Sequence, residues 1–162
     1  MQQGQHTVAG VFGRRDDAEH TVADLRQQGI GDQQISLVAR EDHGHGKTVA
    51  ENGAGHNLTS GIGWGSAIGG VTGLLAGLGA LAIPGVGPIV AAGPLAATLS
   101  GAAAGGLAGG LLDYGIPAAQ TRQYEEDVKR GDTLLLVHGD EATVSKAKGV
   151  FERHHAHDIH LD

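Results

Sequence analysis

The feature that most constrains this chain is an uninterrupted stretch of 52 residues, Gly61 to Leu112, without a single Asp, Glu, Lys, Arg, His, Asn or Gln. It holds 16 of the chain's 29 glycines. All the charged residues, 11 basic and 18 acidic, therefore lie in the other 110 positions, at a density that is ordinary for a soluble domain. The sequence predicts a normal domain that is interrupted by a Gly- and Ala-rich insert.

Small residues recur every four positions within the insert, in two series separated by the break Pro84 to Pro88. Positions four apart stack on one face of a helix, so each series predicts a helix with a groove of bare backbone against which another helix packs. Because the break cannot continue a helix, we expect an antiparallel helical hairpin. The helix-packing and oligomerisation residues of these two predicted glycine zippers are Gly61, Gly65, Gly69, Gly73, Gly77, Gly93, Ala97, Gly101, Gly105 and Gly109.

The lengths of the two predicted helices match a lipid bilayer. Gly61 to Ile83 has 23 residues, or about 34 Å, and Pro94 to Leu112 has 19, or about 28 Å, against a hydrocarbon thickness near 30 Å. Glycine costs roughly 1 kcal/mol relative to Ala in a helix exposed to water, so these helices need a partner or a bilayer. We therefore expect a transmembrane hairpin, with the basic residues that flank it and the folded domain on the cytoplasmic side.

The charged segments on either side of the insert resemble each other. Each begins with a strand-like run that ends in glycine, Thr7 to Gly13 and Thr133 to Gly139, and continues with an amphipathic helix and a short strand. Two such units predict an α+β fold, a ferredoxin-like sandwich in which two helices cover one face of a four-stranded antiparallel sheet. The long hydrophobic hairpin interrupts this sandwich between its second and third strands.

The run Leu134 to Val137 is apolar at every position, which indicates a central strand covered on both faces. The cover is either another subunit or a helix that begins near Pro117, carries Tyr124 and Val128 on one side and ends at Gly131. The predicted organisation is 1–40 as the first half of the α+β domain, 41–60 as a flexible Gly- and His-rich linker, 61–112 as the hairpin and 113–162 as the second half.

Composition excludes several chemistries. The chain has no Cys, which removes disulfides, thiolate nucleophiles and Cys-containing metal sites. A net charge of −7 disfavours a nucleic-acid partner. The acidic clusters Asp16-Asp17 and Glu125-Glu126-Asp127 are adjacent in sequence, as expected for capping and solubility, and Gly101 to Gly110 has no Lys for a phosphate loop. We expect no enzyme and no cofactor.

Ten His residues invite a metal hypothesis, with clusters at His43 to His45 and at His154 to His160. Metal sites need His side chains that converge with fixed geometry. The second cluster spans a predicted helix end and a strand, where side chains point in different directions. We expect solvated surface His and no metal site, while acid sensing remains a hypothesis.

Two stretches resemble known bacterial proteins. Val8 to Phe12, the acidic helix after it and Gly29 to Arg40 resemble the N-terminal domain of bacterial general stress proteins of the heat-induced type. The zipper, Asp113 to Pro117 and the acidic helix up to Gly131 are similar to predicted membrane proteins in which a Gly-rich hairpin precedes an acidic helix and an apolar strand. The resemblance implies a non-enzymatic, stress-related protein.

The predicted function combines these observations. We expect a self-associating bacterial stress protein whose cytoplasmic α+β domain is anchored in the inner membrane by the glycine-zipper hairpin, so that its partners are the lipid bilayer and other copies of itself. The alternative is a soluble, cytoplasmic homo-oligomer whose hairpins pack into an apolar interior that holds lipid or other hydrophobic cargo.

Overall fold

The computed structural model describes residues 4–40, 79–83, 87–101 and 106–162. Over these residues the chain is α+β, as predicted, with a six-stranded antiparallel sheet and helices packed on both of its faces. The strands are β1 (His6–Phe12), β2 (Ile35–Arg40), β3 (Gly79–Ile83), β4 (Gly87–Ala92), β5 (Thr133–Gly139) and β6 (His157–Leu161). The helices are α1 (Arg15–Gln27), α2 (Pro94–Gly101), α3 (Gly106–Leu112), α4 (Ala118–Arg130) and α5 (Glu141–Arg153).

The strands follow the order β3-β4-β2-β5-β1-β6. β5 lies in the interior of this sheet, paired with β1 along its whole length and with β2 over Leu134 to Val137. Its four consecutive apolar residues are buried, and they alternate between the two faces of the sheet. The prediction of a central strand covered on both faces is confirmed.

The first face of the sheet is covered by α1 and α5. The apolar stripes of these helices, with Val22 and Leu25 on α1 and Val144 and Phe151 on α5, pack against inward side chains of β1, β2 and β5. Phe12 meets the Phe151 ring edge to face at a centroid distance of 5.6 Å. The Asp140 carboxylate caps α5 by accepting a 2.8 Å hydrogen bond from the Thr143 backbone N–H. Hydrogen bonds from the Thr143 side chain and from its backbone hold the pKa of Asp140 below its usual value.

The second face is covered by α2, α3 and α4. Tyr124 and Val128 of α4 are buried against this face together with Leu134 and Leu136 of β5. Gly131 ends α4 with a φ of 107°, a left-handed conformation that glycine adopts readily. The predicted covering helix is confirmed, and the insert adds two more helices to the same layer.

The helical hairpin predicted for the insert is wrong over part of its length. The predicted first helix was to end at Ile83, but Gly79–Ile83 form β3, which pairs with β4 as an antiparallel β-hairpin. β4 in turn pairs with β2 from Leu37 to Arg40. The physical reason is backbone pairing: β4 supplies hydrogen-bond partners to the outer edge of β2, and β3 supplies them to the other edge of β4, which a helix cannot do.

The second predicted helix, Pro94 to Leu112, is present as α2 at its beginning and α3 at its end. Pro94 occupies the first position of α2, as predicted. The predicted linker 41–60 and residues 61–78 of the first helix lie outside the described residues. Among the helices that the structure describes, none has the length and apolar character needed to cross a membrane.

Candidate functional site

The residues of the second predicted glycine zipper that the structure describes lie in a turn and on two different helices. Gly93 precedes α2 in the turn after β4, with a φ of 83°, and a Cβ built on it would clash with the carbonyl oxygen of Ile35. Ala97 and Gly101 lie on α2, and Gly109 lies on α3. Gly93 therefore serves a turn and a close backbone approach to β2, which is a different role from helix packing.

The close contact between α2 and α3 is made at a glycine outside the predicted series. A Cβ on Gly110 would lie 2.7 Å from Cδ2 of Leu99, whereas a Cβ on Gly109 would meet no described atom within 4 Å. The sequence signal for Gly110 is its spacing of four from Gly106, one position after the zipper. The remaining predicted zipper residues, which lie outside the described part of the chain, are Gly61, Gly65, Gly69, Gly73, Gly77 and Gly105.

A polar contact ties the start of α2 to the sheet. The backbone N–H of Leu95 donates a 3.1 Å hydrogen bond to the hydroxyl of Ser36, which is buried in β2. The first N–H groups of a helix have no partner within the helix, so this hydroxyl satisfies one of them inside the protein. The contact shows that the Gly- and Ala-rich insert is integrated into the domain at this point.

A second group of candidate functional side chains lies where α4 meets the start of β6. Asp127 of α4 and His157 and Asp158 of β6 each bring one potential metal-ligand atom into a group whose members all lie within 4.8 Å of one another. We call these three residues the Asp127 cluster. Asp127 is completely buried, while His157 and Asp158 are exposed.

Tyr124 fastens α4 to β6 beside this cluster. Its side chain is buried, and its hydroxyl donates a 2.6 Å hydrogen bond to the backbone carbonyl of Asp158. Burial raises the pKa of Tyr124 far above its ordinary value, so the hydroxyl stays protonated and remains a donor. Asp158 has a φ of 51°, and the pairing of β1 with β6 shifts register between Ala9 and Val11.

The two carboxylate oxygens of Asp127 differ in their hydrogen bonding. Its Oδ1 atom accepts a hydrogen bond from the Arg130 guanidinium, one turn later on α4. Its Oδ2 atom is also buried and has no hydrogen-bond partner among the described residues. Asp132 adds a further carboxylate, with Oδ2 at 3.8 Å from Nε2 of His157. A buried carboxylate oxygen without a partner is destabilising, so this position needs a physical explanation.

The other His residues of the second predicted cluster have different surroundings. Nε2 of His154 lies 3.2 Å from Oδ2 of Asp24, and this hydrogen bond lowers the pKa of Asp24. His155 lies in the turn before β6, and His160 lies on β6 opposite Ala9. His43 and His45 lie outside the described residues. His154 and His157 thus approach carboxylates on different elements, and among the described His residues of this cluster His157 is the one near two carboxylates.

Sequence reasoning missed Asp127 because it grouped this residue with Glu125 and Glu126 as a solvated acidic run. A signal was present, since Asp127 is three residues after Tyr124 and next to Val128, which places it beside the buried stripe of α4.

Comparisons of the chain with protein-family models, curated proteins and solved structures found no match.

Proposed function

We propose that this is a non-enzymatic, self-associating, stress-related bacterial protein in which the glycine zipper Gly61 to Gly77 of one copy packs against that of another. The observation that carries the proposal is the position of β3. The zipper is followed after one residue by Gly79, the first residue of β3, and β3 is an outermost strand of the sheet. The zipper is therefore joined to the border of a folded domain, from which it can meet a second copy.

The domain itself is proposed to contain a ferredoxin-like sandwich. Two strand–helix–strand units, β1-α1-β2 and β5-α5-β6, contribute the strand order β2-β5-β1-β6 with both of their helices on the first face. The pair β3-β4 extends this sheet beyond β2, and α2, α3 and α4 form the layer on the second face.

The burial of the insert's leucines favours association between copies rather than insertion of a hairpin into the bilayer. Leu95, Leu107 and Leu111 are completely buried and pack in the core of the second face. The apolar side chains of α2 and α3 thus already have a protein environment within their own chain. The zipper Gly61 to Gly77 then supplies the remaining small-residue surface for association, and several such zippers would form the apolar interior of the assembly.

Attachment to a bilayer is the second candidate, and the length of the segment before β3 favours it. Residues 61–78 carry no charged side chain, and as a helix these 18 residues would extend about 27 Å, close to the hydrocarbon thickness of a bilayer. In this arrangement the bacterial inner membrane would hold the zipper, and the α+β domain would lie on its cytoplasmic side.

Paired glycine variants test the proposal. The variant Gly69→Leu/Gly73→Leu fills the zipper face, and the control Gly63→Leu/Gly70→Leu adds the same two side chains to other faces of the same segment. Sedimentation velocity in buffer should show an oligomer for the wild type and the control, and monomers for the zipper variant. Sedimentation of the wild type as a monomer in both buffer and detergent would contradict self-association.

Fractionation of the untagged protein in its host separates the two candidates. Washing the membranes with high salt and then with carbonate removes peripheral proteins and leaves those held by the hydrocarbon core. Recovery of the protein as a large particle outside the membrane fraction supports the assembly in water. Retention through both washes supports the bilayer candidate instead.

A further inference from the structure

We propose that Asp127, His157 and Asp158 bind a divalent transition-metal ion between α4 and β6, with Zn²⁺ as the best match. This inference goes beyond the proposed function and depends on none of the zipper residues. The cluster joins residues that are about thirty positions apart in the chain through the packing of one helix against one strand.

The strongest support comes from the unsatisfied oxygen of Asp127. The residue is completely buried, yet within the described part of the chain its Oδ2 atom has no hydrogen-bond partner, and the other members of the cluster are an imidazole and a second carboxylate. A cation beside this oxygen would replace the solvation that burial has removed. The same oxygen would remain a destabilising feature without one.

The donor set favours a transition metal. One imidazole nitrogen with two carboxylate oxygens suits Zn²⁺ and related ions, whereas Mg²⁺ and Ca²⁺ prefer oxygen ligands alone. Three protein ligands leave one position of a tetrahedral ion open, and Asp132, next to His157, can fill it directly or through water.

The distances require a small contraction of the cluster. The three ligand atoms lie within 4.8 Å of one another, while ligands of a tetrahedral Zn²⁺ ion at about 2.0 Å are roughly 3.3 Å apart. The side chains of His157 and Asp158 are 45% and 36% exposed, so they can turn toward the buried Asp127 without disturbing the core. The Tyr124 hydrogen bond to the Asp158 carbonyl keeps the strand in reach.

Arg130 competes with the metal ion for Asp127. Its guanidinium contacts Oδ1 of Asp127, but its side chain is 67% exposed and can move into solvent. The positive charge lowers the affinity of the site for a cation. Removing it is therefore expected to increase the affinity roughly three- to tenfold, which a purely structural role of Asp127 would not produce.

The experiment is a titration of the full chain with Zn²⁺, followed by calorimetry and by NMR of the His ring resonances. The resonances of His157 should shift with the first equivalent. Asp127→Asn and His157→Gln should each weaken binding at this site by about tenfold or more, and Arg130→Gln should strengthen it. His160→Gln, a His change on the same strand outside the cluster, should leave the affinity unchanged.

Two results would overturn the proposal. One is a Zn²⁺ affinity that is the same in wild type and in Asp127→Asn, and the other is a first equivalent that shifts other His resonances and leaves those of His157 in place. Thermal unfolding of each variant without metal checks that it is folded. Because the Asp127 cluster and the zipper share no residue, the metal site can fail while self-association holds, and the reverse.

Discussion

Glycine occupies three different environments in the second half of the insert, and each gives it a different role. Gly93 needs a positive φ and passes within van der Waals distance of the β2 backbone. Gly110 lets α3 approach Leu99 of α2, while a Cβ on Gly109 beside it would meet no atom of the described residues within 4 Å. A spacing of four residues in the sequence cannot distinguish these environments, because the position of β2 and α2 decides them.

Alanine substitutions at two members of the predicted zipper should have opposite effects on stability. Gly93→Ala forces a Cβ against the Ile35 carbonyl in a strained conformation, and we expect it to lower the free energy of unfolding by more than about 2 kcal/mol. Gly109→Ala replaces a helical glycine whose new Cβ would touch none of the described residues, and it should raise the free energy of unfolding by up to about 1 kcal/mol. Urea unfolding of both variants measures the two changes.

The Gly109→Ala variant also tests whether Gly109 packs in a glycine zipper between two copies. If Gly109 lies in a contact between copies, Gly109→Ala will reduce the oligomer size at equal protein concentration. Our account instead predicts an unchanged oligomer, since it places association at Gly61 to Gly77.

At the scale of elements, the helices of the insert contribute directly to the core of the domain. α3 presents Leu107 and Leu111 to the sheet and leaves Leu112 at its outer side. Two neighbouring leucines in one helix therefore differ in burial, with Leu111 0% exposed and Leu112 49% exposed. This difference provides a matched test of how the helix packs.

Leu111→Ala should lower the free energy of unfolding by about 2 to 5 kcal/mol, because it removes a fully buried side chain and leaves a cavity. Leu112→Ala should change it by less than about 1 kcal/mol. Denaturant unfolding followed by circular dichroism measures both. Equal losses, or a larger loss for Leu112→Ala, would mean that another face of α3 packs on the sheet.

The elements of the charged segments on either side of the insert were predictable, because the sequence patterns that indicate them are local. The strand β5 is an apolar run, α4 begins after Pro117 and ends at Gly131, and α5 begins at a capping Asp140. The pair β3-β4 was not predictable in the same way. Its residues are Gly, Ala, Pro88 and a few larger aliphatic side chains, and its strand conformation depends on the pairing of β4 with β2, which is distant in sequence.

At the scale of the whole molecule, the Gly- and Ala-rich insert divides into two parts. From Gly79 onward its described residues supply two strands and two helices of the folded domain. The preceding zipper, Gly61 to Gly77, is the part for which we propose association between copies. Gly and Ala together make up more than half of each part, so the sequence alone did not reveal the division.

The Asp127 cluster also exists only at this scale. Asp127 comes from a helix of the second face and His157 and Asp158 from a strand at the border of the sheet, and the fold brings them together. Sequence reasoning found the His cluster but not its carboxylate partner, since no periodic pattern connects α4 with β6.

Hydrogen exchange in the purified full-length protein tests most directly whether the insert from Gly79 onward belongs to the domain. The comparison is between peptides that cover 87–92, 107–111 and 133–137 in buffer. We predict that the first two exchange with protection comparable to that of β5, because β4 pairs with β2 and α3 packs on the same sheet. Rapid exchange across 87–92 and 107–111 in a protein whose 133–137 stays protected would contradict the account.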